Sequence, residues 1–529
     1  MRTDRIPLTV GVTGHRAIRP QDVPALMAGV KGALTELGQR YPHCPLVMLS
    51  DLAEGAGQLC AQVALEMGIP LIVALPMERS EFEKDFEGQA LETFRSLYEQ
   101  GTERFVVPAA EAVPDAPDRN FLYRQQGIYV ATHCHVLLAL WDGGPGTPAA
   151  CGTAEAVSFA LERSYRPVLS APLLSATAVI HLFTPRGERT GEAAGTVHVL
   201  GEDATWQTLM DRTEEFNALP DRADPASYPL LPTERDADPL LDRFEGIYQR
   251  ADRLSLRYAR TYRRVLALLA VVSTLITACF LLYDEANMHW LILVCGLALL
   301  CAFFLQRYAG RSSCHRRSLE YRVLAESLRA QACLRYAGVR REAISLLPWS
   351  QQAQTPWIAM AMTVLGVGEA PQQGHDIRAC WAGDQLTYHR NAQKKARVKL
   401  RGSGRVVGVA LFISIVLYVA ALVFELLFGG VLPRFPAIPD AEIYRTILKL
   451  VLGSISAATL FISNYYGKLS LERGVEDHEK MAVFYERISD RLDRCGQDES
   501  LLLLLAREEL IENGNWCSYQ RDNTPDLSL

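Results

Sequence analysis

The chain has 529 residues, 49% of them apolar, and its 54 Lys and Arg against 60 Asp and Glu leave a formal net charge of −6. That length accommodates several domains with a sizeable core, and the mildly acidic balance excludes the strongly basic footprint of a nucleic-acid binder. The 12 cysteines are scattered without a C-x-x-C pair, which argues against a disulfide framework and a zinc ribbon.

The N-terminus passes from Met1 through Arg2, Asp4 and Arg5 directly into a strand pattern. It does not read as a signal peptide, so this part of the chain is expected in the cytoplasm. Leu8–Val12 reads as a strand ending in the loop Thr13-Gly14-His15-Arg16, and a helix follows from about Gln21 to Leu37. Leu46–Leu49 is the next strand, then Ser50-Asp51-Leu52-Ala53-Glu54-Gly55-Ala56 leads into a helix to Met67. Leu71–Leu75 is a third strand, and an acidic helical insert, Glu78–Gln100, precedes a short strand at Phe105–Val107. A helix over Arg119–Thr132 leads to a strand at Val136–Leu140, and the loop Trp141–Cys151 opens into a helix at Gly152-Thr153-Ala154-Glu155. Short apolar runs alternating with helices predict a Rossmann-like α/β domain, a parallel sheet with helices on both faces. His133-Cys134-His135 abuts a strand start without a second ligand cluster and reads as structural or as a pocket rim, so no metal is expected.

In such sheets a ligand sits beyond the carboxyl ends of the strands. Three successive strand ends carry Gly-rich or small-residue loops that lead into helices, so backbone amides and helix dipoles converge on a phosphate-sized site. Tight turns need glycine for steric reasons alone, and it is the succession of three loops that favours a nucleotide-type pocket. No G-x-x-x-x-G-K-[ST] loop is present. The candidate ligand residues are Gly11, Thr13, Gly14, His15, Arg16, Ser50, Glu54, Gly55, Ala56, Trp141, Asp142, Gly143, Gly152, Thr153 and Glu155. His15 and Arg16 suit phosphate but also suit a solvated loop. Ser50 equally suits a helix cap, and Trp141 suits either a core lid or a base-stacking platform.

Val10-Gly11-Val12-Thr13-Gly14-His15-Arg16, Leu49–Ala56, Leu138-Ala139-Leu140-Trp141-Asp142-Gly143 and Gly152-Thr153-Ala154-Glu155 together resemble the SLOG superfamily, over roughly residues 6–185. That superfamily includes the LOG phosphoribohydrolases. Tyr321-Arg322-Val323-Leu324-Ala325-Glu326-Ser327-Leu328-Arg329 looks, more loosely, like SLATT membrane effectors. The resemblance implies a domain that senses a nucleotide-derived ligand and controls membrane helices, by pore formation or membrane disruption, in antiviral (antiphage) defence. It implies no resident cofactor beyond that ligand. LOG enzymes use P-G-G-x-G-T-x-x-E with an upstream arginine. Here extra residues separate Asp142-Gly143-Gly144 from Gly152-Thr153-Ala154-Glu155, the glutamate comes one place early, and Arg124 is shifted in spacing. Glu155 and Arg124 are therefore the candidates for catalysis in a reading that the departures place second; Glu155 also suits a first-turn carboxylate on the helix dipole.

Residues 186–240, rich in Gly, Pro, Asp and Glu, read as an insert and linker. An amphipathic helix is expected from Asp238, a cap followed by Pro239, and it should run into a membrane helix. Four apolar runs follow: Val265–Leu282, Trp290–Leu305, Val406–Phe428 and Ile447–Tyr465. Each is long enough to span a hydrocarbon core of ~30 Å, the second only just. Basic residues flank them on one side: Arg250, Arg253, Arg257, Arg260, Arg263 and Arg264; Arg307, Arg311, Arg316 and Arg317; Lys394, Lys395, Arg397, Lys399, Arg401 and Arg405; Lys468 and Arg473. By the positive-inside bias, a multi-pass inner-membrane protein with both termini cytoplasmic is expected, with the basic clusters facing anionic lipid. Lys449 is expected to snorkel outward toward Glu425. Gly453 and Ala457 form a small-xxx-small pair suited to close helix packing, and Met481, Phe484, Tyr485, Ile488 and Leu492 form a seam at helical spacing. Tyr308-Ala309-Gly310-Arg311 and Tyr465-Tyr466-Gly467-Lys468 suggest a repeated hairpin-plus-helix unit.

The expected organisation is 1–185 ligand-sensing, 186–240 linker, 241–345 first membrane hairpin, 346–404 helical connector and 405–529 second hairpin with C-terminal helices. Membrane lipid, a nucleotide-type small molecule and further copies of the chain are the expected partners. A membrane-anchored nucleoside-monophosphate hydrolase and a membrane-anchored interaction scaffold are the alternatives.

Overall fold

The computed structural model describes residues 4–145, 152–161, 177–186, 192–220, 229–232, 237–285, 288–427, 441–468 and 471–522. The chain divides into two compact units: Met1–Asp252 with Arg322–Ile377 and Gln497–Trp516, and Arg253–Tyr321 with Arg378–Gly496 and Cys517–Leu529.

The first unit is built on a sheet of seven strands in the order β4-β3-β2-β1-β5-β6-β7. These are β1 (Leu8–Gly14), β2 (Leu46–Ser50), β3 (Leu71–Leu75), β4 (Glu103–Val106), β5 (Val136–Trp141), β6 (Ala178–Phe183) and β7 (Val197–Leu200). All neighbouring pairs are parallel except β6 with β7. The strands read as unbroken apolar runs because both faces are covered. One face buries Leu8, Val10, Met48, Leu71, Val73 and Leu138 under α1 (Val23–Arg40), α2 (Ala56–Glu66), and α4 (Gly88–Gln100), which follows the one-turn α3 (Arg79–Phe82). The other buries Val47, Leu49, Ile72, Leu137 and Val179 under α5 (Arg119–Thr132) and α6 (Thr153–Ala160). The expected single helix over Glu78–Gln100 is broken, because the chain turns at Gly88 with φ +50°.

The region read as a linker from 186 to 240 instead completes this fold. β7 closes the sheet, and α7 (Ala204–Ala218) docks on it through Trp206 and Met210. Trp206 Nε1 donates to the His135 carbonyl at 2.9 Å, and the Asn217 amide brackets Ile6, accepting from its N–H at 3.0 Å and donating to its C=O at 2.8 Å. The exposed strand pattern of β7 and its polar flanks hid it: an edge strand of four residues buries little apolar surface. The Pro-rich piece of that linker falls in 221–228, outside the described residues.

Helices from the C-terminal half also belong to this unit. α12 (Pro356–Leu365), which follows the one-turn α11 (Trp349–Gln352), is buried throughout, and its Trp357 packs against Phe216 of α7. The end of α10 (Cys314–Tyr336), the first turns of α8 (Pro239–Glu285) and α16 (Glu499–Asp522) join through buried ion pairs. Asp252 meets Arg322 at 2.8 Å, Glu326 pairs with Arg322 and Arg329, and Arg329 meets Glu509 at 2.8 Å. As its sequence predicts, α8 starts at a cap: Asp238 Oδ1 accepts from the amides of Leu240 and Leu241.

Among the described residues, four helices are long and apolar enough to cross a membrane: α8, α9 (Leu291–Ser312), α13 (Asp384–Leu427) and α14 (Ala441–Lys468). In the second unit α8 and α9 form a hairpin, with Val265 and Leu269 against Ala302 and Cys279 against Leu291 and Cys295. α13 and α14 form another, and α15 (Leu471–Cys495) returns along α13. Met481, Tyr485, Ile488 and Leu492 of the predicted seam are buried on α15, while Phe484 is half-buried. Gly453 of α14 sits against Leu281 of α8, where a Cβ would lie 2.8 Å from Leu281 Cδ1. Glu425 is held by Arg445 at 2.6 and 2.8 Å, through two parallel guanidinium donors.

Candidate functional site

The chain runs outward from β1 to β4, then returns to place β5 on the other side of β1. The loops after β1 and β5 therefore diverge over opposite faces, and a crevice opens between their carboxyl ends. Four of the sequence-predicted segments converge there.

The β1 loop is locked onto the start of α2. The Ala56 amide donates to the His15 carbonyl at 3.0 Å. Gly14 has no room for a side chain, since a Cβ would lie 2.3 Å from Ala56 Cβ and 2.8 Å from the Leu140 carbonyl oxygen. Gly55 has φ +80°, and its Cβ would fall 2.2 Å from the Arg16 carbonyl oxygen. Leu52, at φ +61°, is also left-handed, an uncommon state for a branched residue that the loop must hold in place. Asp51 Oδ1 accepts from the Ala53 amide, Gln58 N–H bonds the Ala53 carbonyl, and Leu59 N–H bonds the Gly55 carbonyl. The amides of Glu54, Gly55 and Gly57 remain without a partner among the described residues. Successive free amides around a left-handed glycine make a concave anion seat.

Across the crevice, the Asp142 amide donates to His15 Nε2 at 3.2 Å, and Asp142 Oδ1 lies 3.4 Å from the same nitrogen. Burial lowers the His15 pKa and the charge of Arg186 lowers it further, against the opposing pull of Asp142. Asp142 Oδ1 accepts from the Gly144 amide, which sets the turn through Gly143 at φ +72°. Trp141 is partly buried, with its ring 5.4 Å from that of His181. Arg16 lies over the Tyr123 ring at 4.7 Å and 3.9 Å from Asp85. Burial raises the Asp51 pKa, with the Arg16 charge opposing.

At the mouth of α6, Gly152 precedes Thr153 and Glu155, and Arg124 Nε lies 3.2 Å from Glu155 Oε1. Arg124 also approaches Glu111 at 3.4 Å. The two residues singled out for catalysis thus face each other, from α5 and α6. Residues 146–151, which lead into this helix, lie outside the described residues.

Some predicted residues serve the fold instead. Gly11 lies mid-strand under α5, where a Cβ would meet Val130 Cγ1 at 2.7 Å. Ser50 is 0% exposed, its hydroxyl donating to the Gly57 carbonyl and accepting from Leu52 N–H, so it neither faces a ligand nor caps α2. Thr13 is partly exposed in β1, and Glu54 is exposed at the loop tip. His133 is held by Glu342 at 2.7 Å, and His135 Nδ1 accepts from the Thr9 amide at 3.2 Å. Sequence reasoning missed Arg186, Asp51 and His181. The first follows β6, a strand signalled only by the apolar run Ala178–Phe183; Asp51 lay inside the motif Leu49–Ala56 without being singled out, and His181 lacked any motif.

No protein-family model matches this chain, and no curated protein matches it.

Proposed function

We propose that the α/β unit is a SLOG-like sensor of a nucleotide-derived, phosphate-bearing small molecule, and that it controls the membrane helices as a pore-forming or membrane-disrupting effector. One observation carries this reading: the unpartnered amides of Glu54, Gly55 and Gly57 lie at the topological switch of the sheet, beside the loop that bears His15 and Arg16. Amides so arranged bind phosphate without a dedicated lysine. Coupling is supported by α8, one helix from Pro239 to Glu285 that contains both soluble-type and membrane-type sequence. The Arg and Lys clusters flanking the four apolar helices support an inner-membrane protein with cytoplasmic termini, and lipid-exposed faces on α13 and α14 support assembly of several copies. A ligand acts here by favouring one arrangement of the helices over another.

The facing pair Arg124 and Glu155 supports a second reading, hydrolysis of a nucleoside monophosphate at the same crevice. Both are tested with purified full-length protein in liposomes loaded with a self-quenching dye. Addition of AMP, GMP, CMP or UMP, or of a small-molecule extract from phage-challenged cells, is expected to release dye from wild type and not from Gly55→Val. Base release that Glu155→Gln abolishes would favour the hydrolase, and neither response would leave a lipid-anchored scaffold as the better account.

A further inference from the structure

At the opposite end of the sheet from this crevice, the first unit contains a cavity of about 660 Å³. That size is within the range of small-molecule sites, roughly 300–1,000 Å³. Its walls come from the start of β4, the first turn of α8, the end of α10 and the segment 369–375.

The wall charges are largely paired within the wall. Arg335 Nε bonds Asp238 Oδ2 at 2.7 Å, and its Nη1 bonds the Glu369 carbonyl at 2.7 Å. Glu103 is paired with Arg243 at 2.5 Å. Two groups keep capacity to spare. Arg104 gives its Nη2 to the carbonyls of Glu99 and Gly101, lies over the Tyr98 ring at 5.2 Å and holds the Glu99 carboxylate only loosely, at 3.6 Å, while its Nε has no hydrogen-bond partner among the described residues. Glu369 is exposed, and among the described residues its carboxylate meets only the Gln372 amide, at 3.4 Å. Beside them, the His375 ring stacks on buried Tyr336 at 4.6 Å and 14°, and both residues line the cavity. A polyanion would meet Glu103, Asp238 and Glu369 with no surplus of positive charge, so a nucleotide is a poor occupant.

We propose that this cavity binds a zwitterion carrying a planar ring, the class of the aromatic amino acids and their dipeptides. The ligand carboxylate takes Arg104, its ammonium takes Glu369, and its ring lies against His375. Because Asp238 both caps α8 and lines the cavity, the occupant contacts the root of the first apolar helix, which gives that helix an input separate from the phosphate crevice.

Calorimetric titration of the detergent-solubilised full chain tests this, with L-phenylalanine, L-tryptophan and their dipeptides with alanine as probes. At least one probe is expected to bind saturably, about tenfold or more tighter than L-alanine and without competition from AMP. Arg104→Gln and Glu369→Gln are each expected to weaken it tenfold or more, while Arg104→Lys retains most of the affinity and Gly55→Val leaves it unchanged. Equal unfolding midpoints for the Arg104 and Glu369 variants and wild type exclude misfolding as the cause. Absence of saturable binding by all probes, competition by AMP, or full affinity in both glutamine variants would overturn the proposal.

Discussion

Glu509 Oε1 accepts two hydrogen bonds from Arg329, from Nε at 3.0 Å and from Nη2 at 2.8 Å, across 180 positions of sequence. Glu509 is 3% exposed, and the pair belongs to a cluster that joins α8, α10 and α16. Arg322, Glu326 and Arg329 of the segment Tyr321–Arg329 thus make buried or half-buried ion pairs inside the first unit.

That cluster yields an ordered pair of effects. Arg329→Met removes the guanidinium that pairs with buried Glu509 and Glu326, at a cost of about 3–5 kcal/mol. Glu509→Gln keeps the volume and leaves Asp252 and Glu326 matched by Arg322 and Arg329, at a cost of about 1.5–3 kcal/mol. Denaturant titration of the purified protein measures both, and an equal or reversed order would show that the cluster is not organised around Arg329.

Two glycines should respond oppositely to alanine. Gly55 is left-handed and sits against the Arg16 carbonyl, so Gly55→Ala is expected to cost about 2 kcal/mol or more and to weaken ligand binding at the crevice. Gly32 lies within α1 with open space around its Cβ position, so Gly32→Ala is expected to stabilise by about 0.5–1 kcal/mol. Thermal unfolding of the two variants beside wild type decides the matter.

His135 predicts an acid-sensitive fold. Burial lowers its pKa from 6.5 to about 4, and Nδ1 already accepts from Thr9 N–H. Below pH 6.5 the unfolded chain takes up a proton that the folded chain refuses. The contribution is therefore complete above pH 6.5 and is lost as pH falls toward 4, on the order of 3 kcal/mol in all. His135→Gln, which retains an acceptor and does not titrate, should flatten the stability profile between pH 7 and 4. A parallel profile for wild type and variant would contradict this assignment.

The α8–α14 contact depends on a missing side chain. Gly453→Ile forces atoms into Leu281, an overpacking expected to cost about 1–3 kcal/mol. Leu281→Ala should recover part of the loss in the double variant. Unfolding midpoints in detergent for the two single variants and the double variant measure the coupling, and strictly additive losses would indicate that the residues do not touch.

Local pattern alone determined the alternation of β1 to β5 with their helices and the four apolar spans, because unbroken Val, Leu and Ile runs of a given length have few ways to be buried. It also marked Gly14 and Gly55, whose tight turns admit no Cβ. Tertiary structure decided what depends on partners distant in sequence. β7 and α7 became part of the sheet domain because Trp206 and Asn217 find His135 and Ile6, far along the chain. Gly11 and Ser50, indistinguishable by motif from ligand-facing residues, proved to be packed under α5 and within the β2 loop, since a motif fixes residue type and spacing but not which side faces solvent. The cavity at the root of α8 was invisible for the same reason: its walls come from four separate segments that only folding brings together.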